Sequence, residues 1–522
     1  MNCTTANRHL PKPALIVSFV MLLWTSTVFT ADQTKPVSPT PASKTMLKAG
    51  FAECDITPSI GMEQPGGYGK SFHRVFHDSC KVRAAVFDDG ITRVALVGVD
   101  SLFVMRAMVI EARRIIQQKC GIAPEAVLIG ASHSHSSGPT GMTLPGDFDH
   151  ASALVKELAY EKSSCADAGY VKHVIDQIVS AVVIANDRRV EARCGFGRGI
   201  EDKAAYNRRI RMKSGVTYTH SGKNNPDNVE YADPIDPEVG VIGAWDLQGK
   251  LLGCIVNYAC HATTSPGGIS ANWIYYMEKT IRGALSTDMP VVFLQGCCGD
   301  ITQVDNLDPH VNPAPEKWAH LVGGRVGAEA VKVLLTVEQG IEAPLAAKSK
   351  ILNIKRRIPS PERVKRCLEI VQQDPKKTDA TEWTFAKEIV LLDAIIKKQP
   401  TAEVEIQAVQ VGPAVFITNP AEFFVRFGLD LKKGSPFPFT WPVELANGCV
   451  GYVPTEEALG PKGGGYETRL TGYSNLEPSA GRQFVEAGLE LARGMTPGKV
   501  PEPALAPQGK PWSYGNLPPE LQ

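Results

Sequence analysis

Two histidines, His133 and His135, alternate with serines in the segment GASHSHSSGPT, directly after an apolar run. Residues two apart in an extended segment face the same side. The two imidazoles could therefore bind one metal ion, or one could bind the metal while the other transfers a proton. A pair of hydrogen-bonded, half-buried core histidines would give the same pattern, so both interpretations stay open at this point.

Three other segments place polar residues at the ends of apolar runs. His261 ends such a run in NYACHATTSPGG, a position that is equally typical of a core histidine. Asp300 and Thr302 lie in QGCCGDIT, where a turn can present backbone N–H groups and a hydroxyl to a cleft, or where aspartate simply caps the turn. Glu422 lies at the start of a predicted helix in NPAEFF, which the helix dipole favours for any carboxylate.

The elements that must position these residues have an α/β pattern. Residues 92–100 predict a buried strand, 105–121 a helix and 126–132 a second strand, which together make a βαβ unit with parallel strands. Functional groups of open α/β sheets gather beyond the carboxyl ends of strands, where His133 and His135 lie. We therefore predict an α/β fold with a mixed, largely parallel sheet sandwiched by helices in a single large domain.

Further elements are predicted along the rest of the chain. Apolar periodicity predicts helices over 171–185, 316–335, 360–398 and 421–433. Strands are predicted on both sides of a turn at Gln248 and Gly249, and over 289–296, 345–358 and 404–419.

Composition excludes some classes of function. The chain has 522 residues, of which 43% are hydrophobic and 21% charged, and its formal net charge is zero. These values are typical of a soluble globular protein. A balanced charge indicates no nucleic-acid partner and no polybasic membrane segment.

The N-terminus has the pattern of an export signal. Basic residues precede an apolar run over 14–23, and small residues follow near Ala31. We predict a signal peptide over 1–31, a flexible tether rich in Pro, Ser and Thr over 32–47, and a Pro-rich tail over 496–522. The protein is then exported, to the periplasm, the medium or the envelope, although an uncleaved membrane anchor would share this pattern.

The cysteines do not form a zinc-binding motif. The chain has twelve, and removal of Cys3 with the signal would leave eleven. No C-x-x-C pair is present, which argues against a zinc ribbon. We expect mostly buried thiols, with one or two disulfides that export would permit.

Several segments, taken in order, resemble the neutral/alkaline non-lysosomal ceramidases, which are zinc amidases that cleave the N-acyl bond of ceramide. SHSHSSGP resembles the family's T-H-T-H-S-G-P, NYACHAT its N-W-x-x-H, GCCGDIT its L-G-D-V-S, and NPAEFFVRFG its P-x-E-F-T-T-x-x-G. NGCVGYVPTEEA and GGYETRLTGY resemble the family's two tyrosine-containing motifs. The matches extend from about residue 51 to 473, which implies a ceramidase-like catalytic domain over 48–495.

The resemblance implies a ligand set for one Zn²⁺ ion. His133, His261, Glu422 and Tyr452 stand at the positions of the family's metal ligands. His135 would lie beside the metal at the substrate amide, where an imidazole can protonate the leaving amine.

Other family positions carry over less completely. Tyr466 would hydrogen-bond the amide or its oxyanion, and Arg208 would line the substrate site. Thr302 stands where the family has its active-site serine, and Asp300 would orient a histidine or a water molecule. Asn272 replaces an aspartate that the family often has.

The expected function is zinc-dependent hydrolysis of an amide bond, with ceramide-like lipids as candidate substrates and a metal-activated water as nucleophile. The replaced serine and aspartate, and an expected lack of the family's C-terminal immunoglobulin-like domain, leave the substrate open. Two alternatives stay open: a metal-dependent esterase on the same scaffold, and a non-catalytic, zinc-stabilised binding protein of the envelope. The binding partner would be a small-molecule or lipid amide substrate. Peripheral contact with a membrane stays open, and no oligomeric state is predicted.

Overall fold

The computed structural model describes residues 46–341, 343–374, 376–515 and 517–522. The predicted signal peptide and nearly all of the predicted tether lie outside these residues. Residues from 46 onward belong to one compact unit.

The strands of the described chain are numbered in sequence order. They are β1 (Lys48–Asp55), β2 (Lys81–Asp88), β3 (Arg93–Val99), β4 (Val127–Ala131), β5 (Val190–Ile200), β6 (Tyr206–Asn207), β7 (Arg209–Met212), β8 (Thr217–Thr219), β9 (Asn228–Tyr231), β10 (Glu238–Asp246), β11 (Leu251–Tyr258), β12 (Val291–Gln295), β13 (Ile301–Thr302), β14 (Leu345–Lys355), β15 (Thr401–Val411), β16 (Ala414–Thr418), β17 (Glu422–Phe423), β18 (Phe439–Val443) and β19 (Tyr452–Val453).

The helices are numbered in the same way. They are α1 (Arg106–Cys120), α2 (Ala153–Tyr160), α3 (Ala168–Asp187), α4 (Trp273–Leu285), α5 (Pro315–Thr336), α6 (Pro361–Val371), α7 (Ala380–Lys398), α8 (Val425–Gly434) and α9 (Ala480–Arg493). Two short 3₁₀ helices cover Pro124–Ala126 and Tyr466–Thr468.

The largest sheet has eight strands in the order β12-β11-β10-β5-β1-β2-β3-β4 and folds back on itself. The sheet bends at β5, because Val190 and Glu191 pair with β1 while the remainder of the strand pairs with β10. The two halves then pack face to face, with β12 over β2, β3 and β4. At this contact a Cβ atom added to Gly98 would lie 2.3 Å from the carbonyl oxygen of Phe293.

Helices cover the outer faces of the folded sheet, α1 and α3 on one half and α4 and α5 on the other. Helix α3 is long and apolar enough to cross a membrane by length and composition, but its Val174, Ile178 and Val182 are buried in the core. The predicted α/β class, the mixed sheet, the helical covering and the single domain are confirmed.

The prediction of a largely parallel sheet is wrong. In the eight-stranded sheet only the outermost pairs, β3–β4 and β11–β12, are parallel, and the pairs between them are antiparallel. Each parallel pair belongs to a βαβ unit, one with α1 and one with α4, whereas tight turns join β2 to β3 and β10 to β11. The βαβ unit predicted around α1 is parallel, but the antiparallel pairs between the outermost strands have no comparable signal in the sequence.

A second sheet of four strands, in the order β14-β15-β16-β18, carries α8 and α9. Helices α2, α6 and α7 enclose a separate apolar cluster that includes Leu158, Val371 and Ile389. The single helix predicted over 360–398 is therefore two helices, and Asp379 begins the second by accepting a hydrogen bond from Glu382 N at 2.8 Å.

The cysteine prediction is confirmed in part. Every cysteine in the described part of the chain is a free thiol, and most of these side chains are buried. The expected disulfides are therefore wrong for the described residues, because burial in an apolar core, not pairing, accommodates these thiols.

Candidate metal centre

The loops after β4 and β11 lie side by side at the joint between the two halves of the sheet. Ser134 and Ala262 form a parallel bridge, and His135 N donates a hydrogen bond to Ala262 O at 3.2 Å. Since β4 and β11 belong to opposite halves, folding of the sheet is what places His133 next to His261. Their ring centroids are 4.5 Å apart.

Hydrogen bonds fix the tautomers of the two buried histidines. Nδ1 of His133 lies 3.1 Å from the carbonyl oxygen of Leu102, and Nδ1 of His261 lies 2.6 Å from that of Cys298. A carbonyl oxygen only accepts hydrogen bonds, so each Nδ1 carries the hydrogen. In the neutral imidazole each Nε2 then has a lone pair, and Nε2 of His261 has no hydrogen-bond partner in the described structure.

Glu422 directs a carboxylate oxygen at both of these nitrogens. Its Oε2 lies 3.3 Å from Nε2 of His133 and 3.5 Å from Nε2 of His261. The carboxylate is buried, and Oε2 has no hydrogen-bond donor among the residues described. Lone-pair atoms that face one another away from water repel, so a cation between them would stabilise the arrangement.

His135 completes the cluster from the side of a cavity. Its Nε2 is 3.3 Å from Nε2 of His133. Ligand atoms of His133, His135 and His261 all lie within 4.8 Å of one another, so the three residues could hold a metal ion.

Electrostatics favour the metal-binding forms of these groups. Burial lowers the pKa of His261 to about 3. Burial, and then the two neighbouring imidazoles, lower the pKa of His135 well below its usual value. Burial opposes ionisation of Glu422, yet the imidazole of His133 holds the pKa of this carboxyl below its ordinary value. At neutral pH His135 and His261 are thus neutral imidazoles and Glu422 is an ionised carboxylate, the states that bind metal.

Tyr452 and Tyr466 lie beside Glu422. Strands β17 and β19 pair in parallel with Glu422 opposite Tyr452, and the two phenol oxygens are 3.1 Å apart. Burial raises the pKa of both hydroxyls, so both stay protonated and can donate hydrogen bonds. The prediction that Glu422 begins a helix is wrong, because the helix starts at Val425 and Glu422 belongs to this short strand pair.

Arg208 is buried behind the tyrosines. Its Nε donates to Glu467 Oε1 at 2.9 Å, and its Nη2 donates to the carbonyl oxygen of Gly299 at 2.6 Å and to the Tyr452 hydroxyl at 3.2 Å. The guanidinium carbon lies 5.3 Å from the centroid of the Tyr466 ring. Arg208 therefore holds a fixed positive charge next to both phenols, although it does not line the cavity.

Asp300 makes no hydrogen bond to a histidine of the described chain, which corrects the histidine alternative of the prediction from the sequence. Its Oδ1 accepts a hydrogen bond from Val425 N at 2.8 Å, and its Oδ2 accepts one from Asn207 Nδ2 at 2.9 Å. Burial raises its pKa to about 6. The carboxylate therefore joins the turn after β12 to the first residue of α8 and to β6.

The Thr302 hydroxyl also lies away from the cavity. It donates to Gln303 Oε1 at 2.8 Å and lies 3.5 Å from the hydroxyl of Thr263. Its neighbour Ile301 accepts from Nδ1 of His261 at 3.1 Å through its carbonyl oxygen. Thr302 is thus close to a ligand in sequence, but it does not line the cavity.

Asn272, the replacement noted in the sequence, has a structural role. Its Oδ1 accepts from Thr264 N at 2.9 Å and from Trp273 N at 3.1 Å, which caps α4. These bonds hold the segment that follows His261 against the helix.

A cavity of about 670 Å³ opens onto the cluster. His133, His135, Glu422, Tyr452 and Tyr466 form its inner wall. Its other walls carry many apolar side chains, among them Leu102, Phe103, Met142, Phe148, Leu391 and Ile395. It extends toward the end of α7, where Lys398 and Gln399 are exposed.

The groups that hold the ligands in place were not predicted from the sequence. The carbonyl oxygens of Leu102 and Cys298 leave no signal in a sequence, because any residue supplies one. Glu444 was also missed; burial raises the pKa of this carboxyl well above its ordinary value. A carboxylate directly after the strand-like segment FTWPV was the available signal.

Comparisons with known proteins agree with the resemblance stated from the motifs. The chain is 23% identical over 338 residues to the neutral ceramidase of Pseudomonas aeruginosa, a match that covers 61% of this chain and 46% of that protein. The chain thus spans about half the length of this curated relative. No protein-family model matches the chain.

Solved structures extend the similarity to the fold. The crystal structure of neutral ceramidase from Pseudomonas aeruginosa superposes with a TM-score of 0.64 at 21% identity, covering 89% of this chain and 77% of that one. A structure described as ceramidase complexed with C2 gives a TM-score of 0.63 at 19% identity, with the same coverage. The resemblance to the neutral ceramidases is confirmed, and the chain has their fold.

Proposed function

We propose that this chain, which resembles neutral ceramidase in sequence and fold, is a zinc-dependent hydrolase that cleaves the amide bond of an N-acyl lipid. One observation carries the proposal: beside a large cavity, Oε2 of Glu422 lies 3.3 Å from Nε2 of His133 and 3.5 Å from Nε2 of His261. The similarity to a ceramidase supports the choice of amide and lipid.

The separations fit a zinc ion. Zinc ligands lie about 2.0–2.1 Å from the metal in a tetrahedral arrangement, so neighbouring ligand atoms are roughly 3.4 Å apart. His133, His261 and Glu422 would hold the ion, and His135 or Tyr452 stands next to them as a further ligand. When bound, zinc would lower the pKa of a water molecule and polarise the substrate carbonyl.

Side chains around the cluster supply the other requirements of amide hydrolysis. The protonated hydroxyl of Tyr466 lines the cavity and can donate to the carbonyl oxygen, where negative charge develops. The charge of Arg208 lies behind that hydroxyl and favours the same charge development. His135, if it does not bind the metal, accepts a proton at its free ring nitrogen and can then pass it to the leaving amine.

The shape and walls of the cavity support a lipid substrate. The wall between the cluster and α7 is largely apolar, and Phe148, Leu391 and Ile395 belong to it. An acyl chain buried there gains about 0.8 kcal/mol for each methylene removed from water. A small polar amide would leave this wall without a partner.

Metal analysis combined with a matched substrate pair tests the proposal. We expect purified protein to hold about one zinc ion per chain and to hydrolyse an N-acyl sphingoid lipid faster than the ester of the same acyl chain. The reverse preference would indicate the esterase, and a stably bound zinc ion without hydrolysis of either substrate would indicate the binding protein.

Two variants and a control localise the activity. His133→Ala and His261→Ala each remove one ligand, so both should lose the metal and hydrolysis together. His173→Ala, which changes an exposed histidine of α3, should keep both. Full zinc content and full rate in either ligand variant would contradict the assignment.

A further inference from the structure

A buried carboxylate lies behind the metal centre without touching the predicted ligands. Glu444 follows β18 directly, is fully buried, and donates its backbone N–H to the Gln295 carbonyl oxygen at 3.0 Å. Burying a carboxylate is costly unless hydrogen bonds compensate it. Its contacts therefore indicate what it does.

Three donors converge on the Glu444 carboxylate. Oε2 accepts from the backbone N–H of Cys298 at 2.9 Å and from that of Phe423 at 2.8 Å. Oε1 accepts from the Cys298 thiol at 2.9 Å. One side chain thus ties together two segments that are more than a hundred residues apart in sequence.

Each of these segments holds a predicted metal ligand. The carbonyl oxygen of Cys298 accepts the hydrogen from Nδ1 of His261, so the position of Cys298 sets the orientation of that imidazole. Phe423 directly follows Glu422 in β17. The oxygen Oε2 of Glu444 is therefore a shared anchor for His261 and Glu422.

A second link joins the same two segments directly. Gly299 N donates to Phe423 O at 2.9 Å, and a Cβ atom added to Gly299 would lie 2.5 Å from the carbonyl oxygen of Glu422. The backbones are in tight contact, so a shift of either segment changes the 3.5 Å separation between His261 Nε2 and Glu422 Oε2.

We propose that Glu444 is a positioning residue that sets the separation of His261 and Glu422 and thereby the affinity of the centre for zinc. This inference rests on the proposed metal site and adds to it a residue that binds no metal. Outer partners of metal ligands typically change metal affinity about 10–100-fold when removed.

Three substitutions of Glu444 distinguish its hydrogen bonds from the volume that its side chain fills. Glu444→Leu keeps the volume but removes both acceptor oxygens. Glu444→Asp keeps the carboxyl group but withdraws it by one methylene, so it cannot reach Cys298 and Phe423 together. Glu444→Gln keeps one oxygen that can accept from both backbone N–H groups.

Competition between each protein and a chelator of known zinc affinity is the measurement. We expect Glu444→Leu and Glu444→Asp to bind zinc about 10–100-fold more weakly than the wild type, and Glu444→Gln to stay within about threefold. Glu405→Gln is the matched control, since Glu405 is a buried carboxylate of β15 that pairs with Arg113 of α1 instead of anchoring a segment that holds a metal ligand. It should lower the melting temperature of the protein and leave zinc affinity unchanged.

The outcomes are distinguishable. A folded Glu444→Leu or Glu444→Asp with wild-type affinity overturns the inference, and so does an equal loss of affinity in Glu405→Gln. If Glu444→Leu fails to fold, Glu444→Asp alone decides. A wild-type protein that binds no zinc overturns the proposed function itself.

Discussion

His133 occupies a backbone conformation that few residues other than glycine adopt. Its φ is +61°, in the left-handed region. Such a conformation costs on the order of 1–3 kcal/mol and persists where surrounding structure holds it. Here Ser132 N and Ser134 N donate to Val99 O and Ser101 O on either side of the residue. This conformation directs Nε2 of His133 at Glu422 and His135.

Substitution of Tyr466 tests the proposed stabilisation of the oxyanion separately from metal binding. Tyr466→Phe removes the hydroxyl that would donate to the developing oxyanion and leaves the three central ligand atoms unchanged. Zinc content should stay at the wild-type level while kcat falls about tenfold to a thousandfold. Steady-state kinetics and metal analysis of the same preparation test this, and an unchanged kcat would remove Tyr466 from the mechanism.

Thr302 stands at the position of the family's active-site serine, but its hydroxyl does not face the cavity in this chain. Its hydroxyl bonds Gln303 and Thr263 outside the cavity, so we expect Thr302→Val to retain zinc and to lose less than about tenfold in kcat/KM, the effect of one lost neutral hydrogen bond. A nucleophile would behave otherwise, because its removal costs on the order of a millionfold. Kinetics of Thr302→Val and Thr302→Ser together decide, and an inactive Val variant beside an active Ser variant would contradict this placement.

At the scale of elements, the sequence predicted those helices and hairpins whose positions local periodicity and turn residues determine. The helix of 105–121 ends where expected, with Gly121 at φ +67°, and the strands around Gln248 and Gly249 form the predicted hairpin. Pairing between distant strands has no local signal. The two-residue strands β17 and β19 are too short for any period, so Glu422 was assigned to a helix.

The contact between the two halves of the sheet gives a prediction for stability. Gly98→Ala should lower the free energy of unfolding by about 1–3 kcal/mol, because the new methyl group would overlap the carbonyl oxygen of Phe293, which cannot rotate away. Gly283→Ala is the control: this site in α4 has open space around it, and the change should raise stability by about 0.5–1 kcal/mol. Denaturant titration of both variants tests this, and equal stability of Gly98→Ala and wild type would contradict the close packing.

At the scale of the whole molecule, the site exists because the sheet folds. His133 follows a strand of one half, His261 a strand of the other, and Glu422 belongs to a separate strand pair. No spacing in the sequence reveals that these three meet. The resemblance to a known family is what predicted the three as one ligand set. Residues that support them, such as Glu444, are visible only in the structure.

Burial of the cluster predicts a pH dependence of stability in the metal-free protein. The pKa of His261 is lowered to about 3 from its ordinary 6.5. Between these values the unfolded chain binds a proton that the folded protein does not bind. The free energy of unfolding should therefore fall as pH falls from 6.5 toward 3, by up to about 1.4 kcal/mol per pH unit.

A difference measurement isolates this effect. Asp100 and Asp300, whose pKa burial raises to about 6, act in the opposite direction, since below that pH the folded protein protonates first. Their contribution cancels when wild type is compared with His261→Asn, in which the amide can still donate to Cys298 O. Both proteins are unfolded with denaturant in the presence of EDTA. A difference in stability that does not change with pH would contradict the lowered pKa.

The direct test of the convergence of His133, His261 and Glu422 on one metal ion is anomalous diffraction at the zinc absorption edge from crystals of the purified protein. We predict one strong peak about 2.0–2.2 Å from Nε2 of His133, Nε2 of His261 and a carboxylate oxygen of Glu422. A zinc-saturated crystal with no peak between these atoms, or with its peak at another site, would contradict the account.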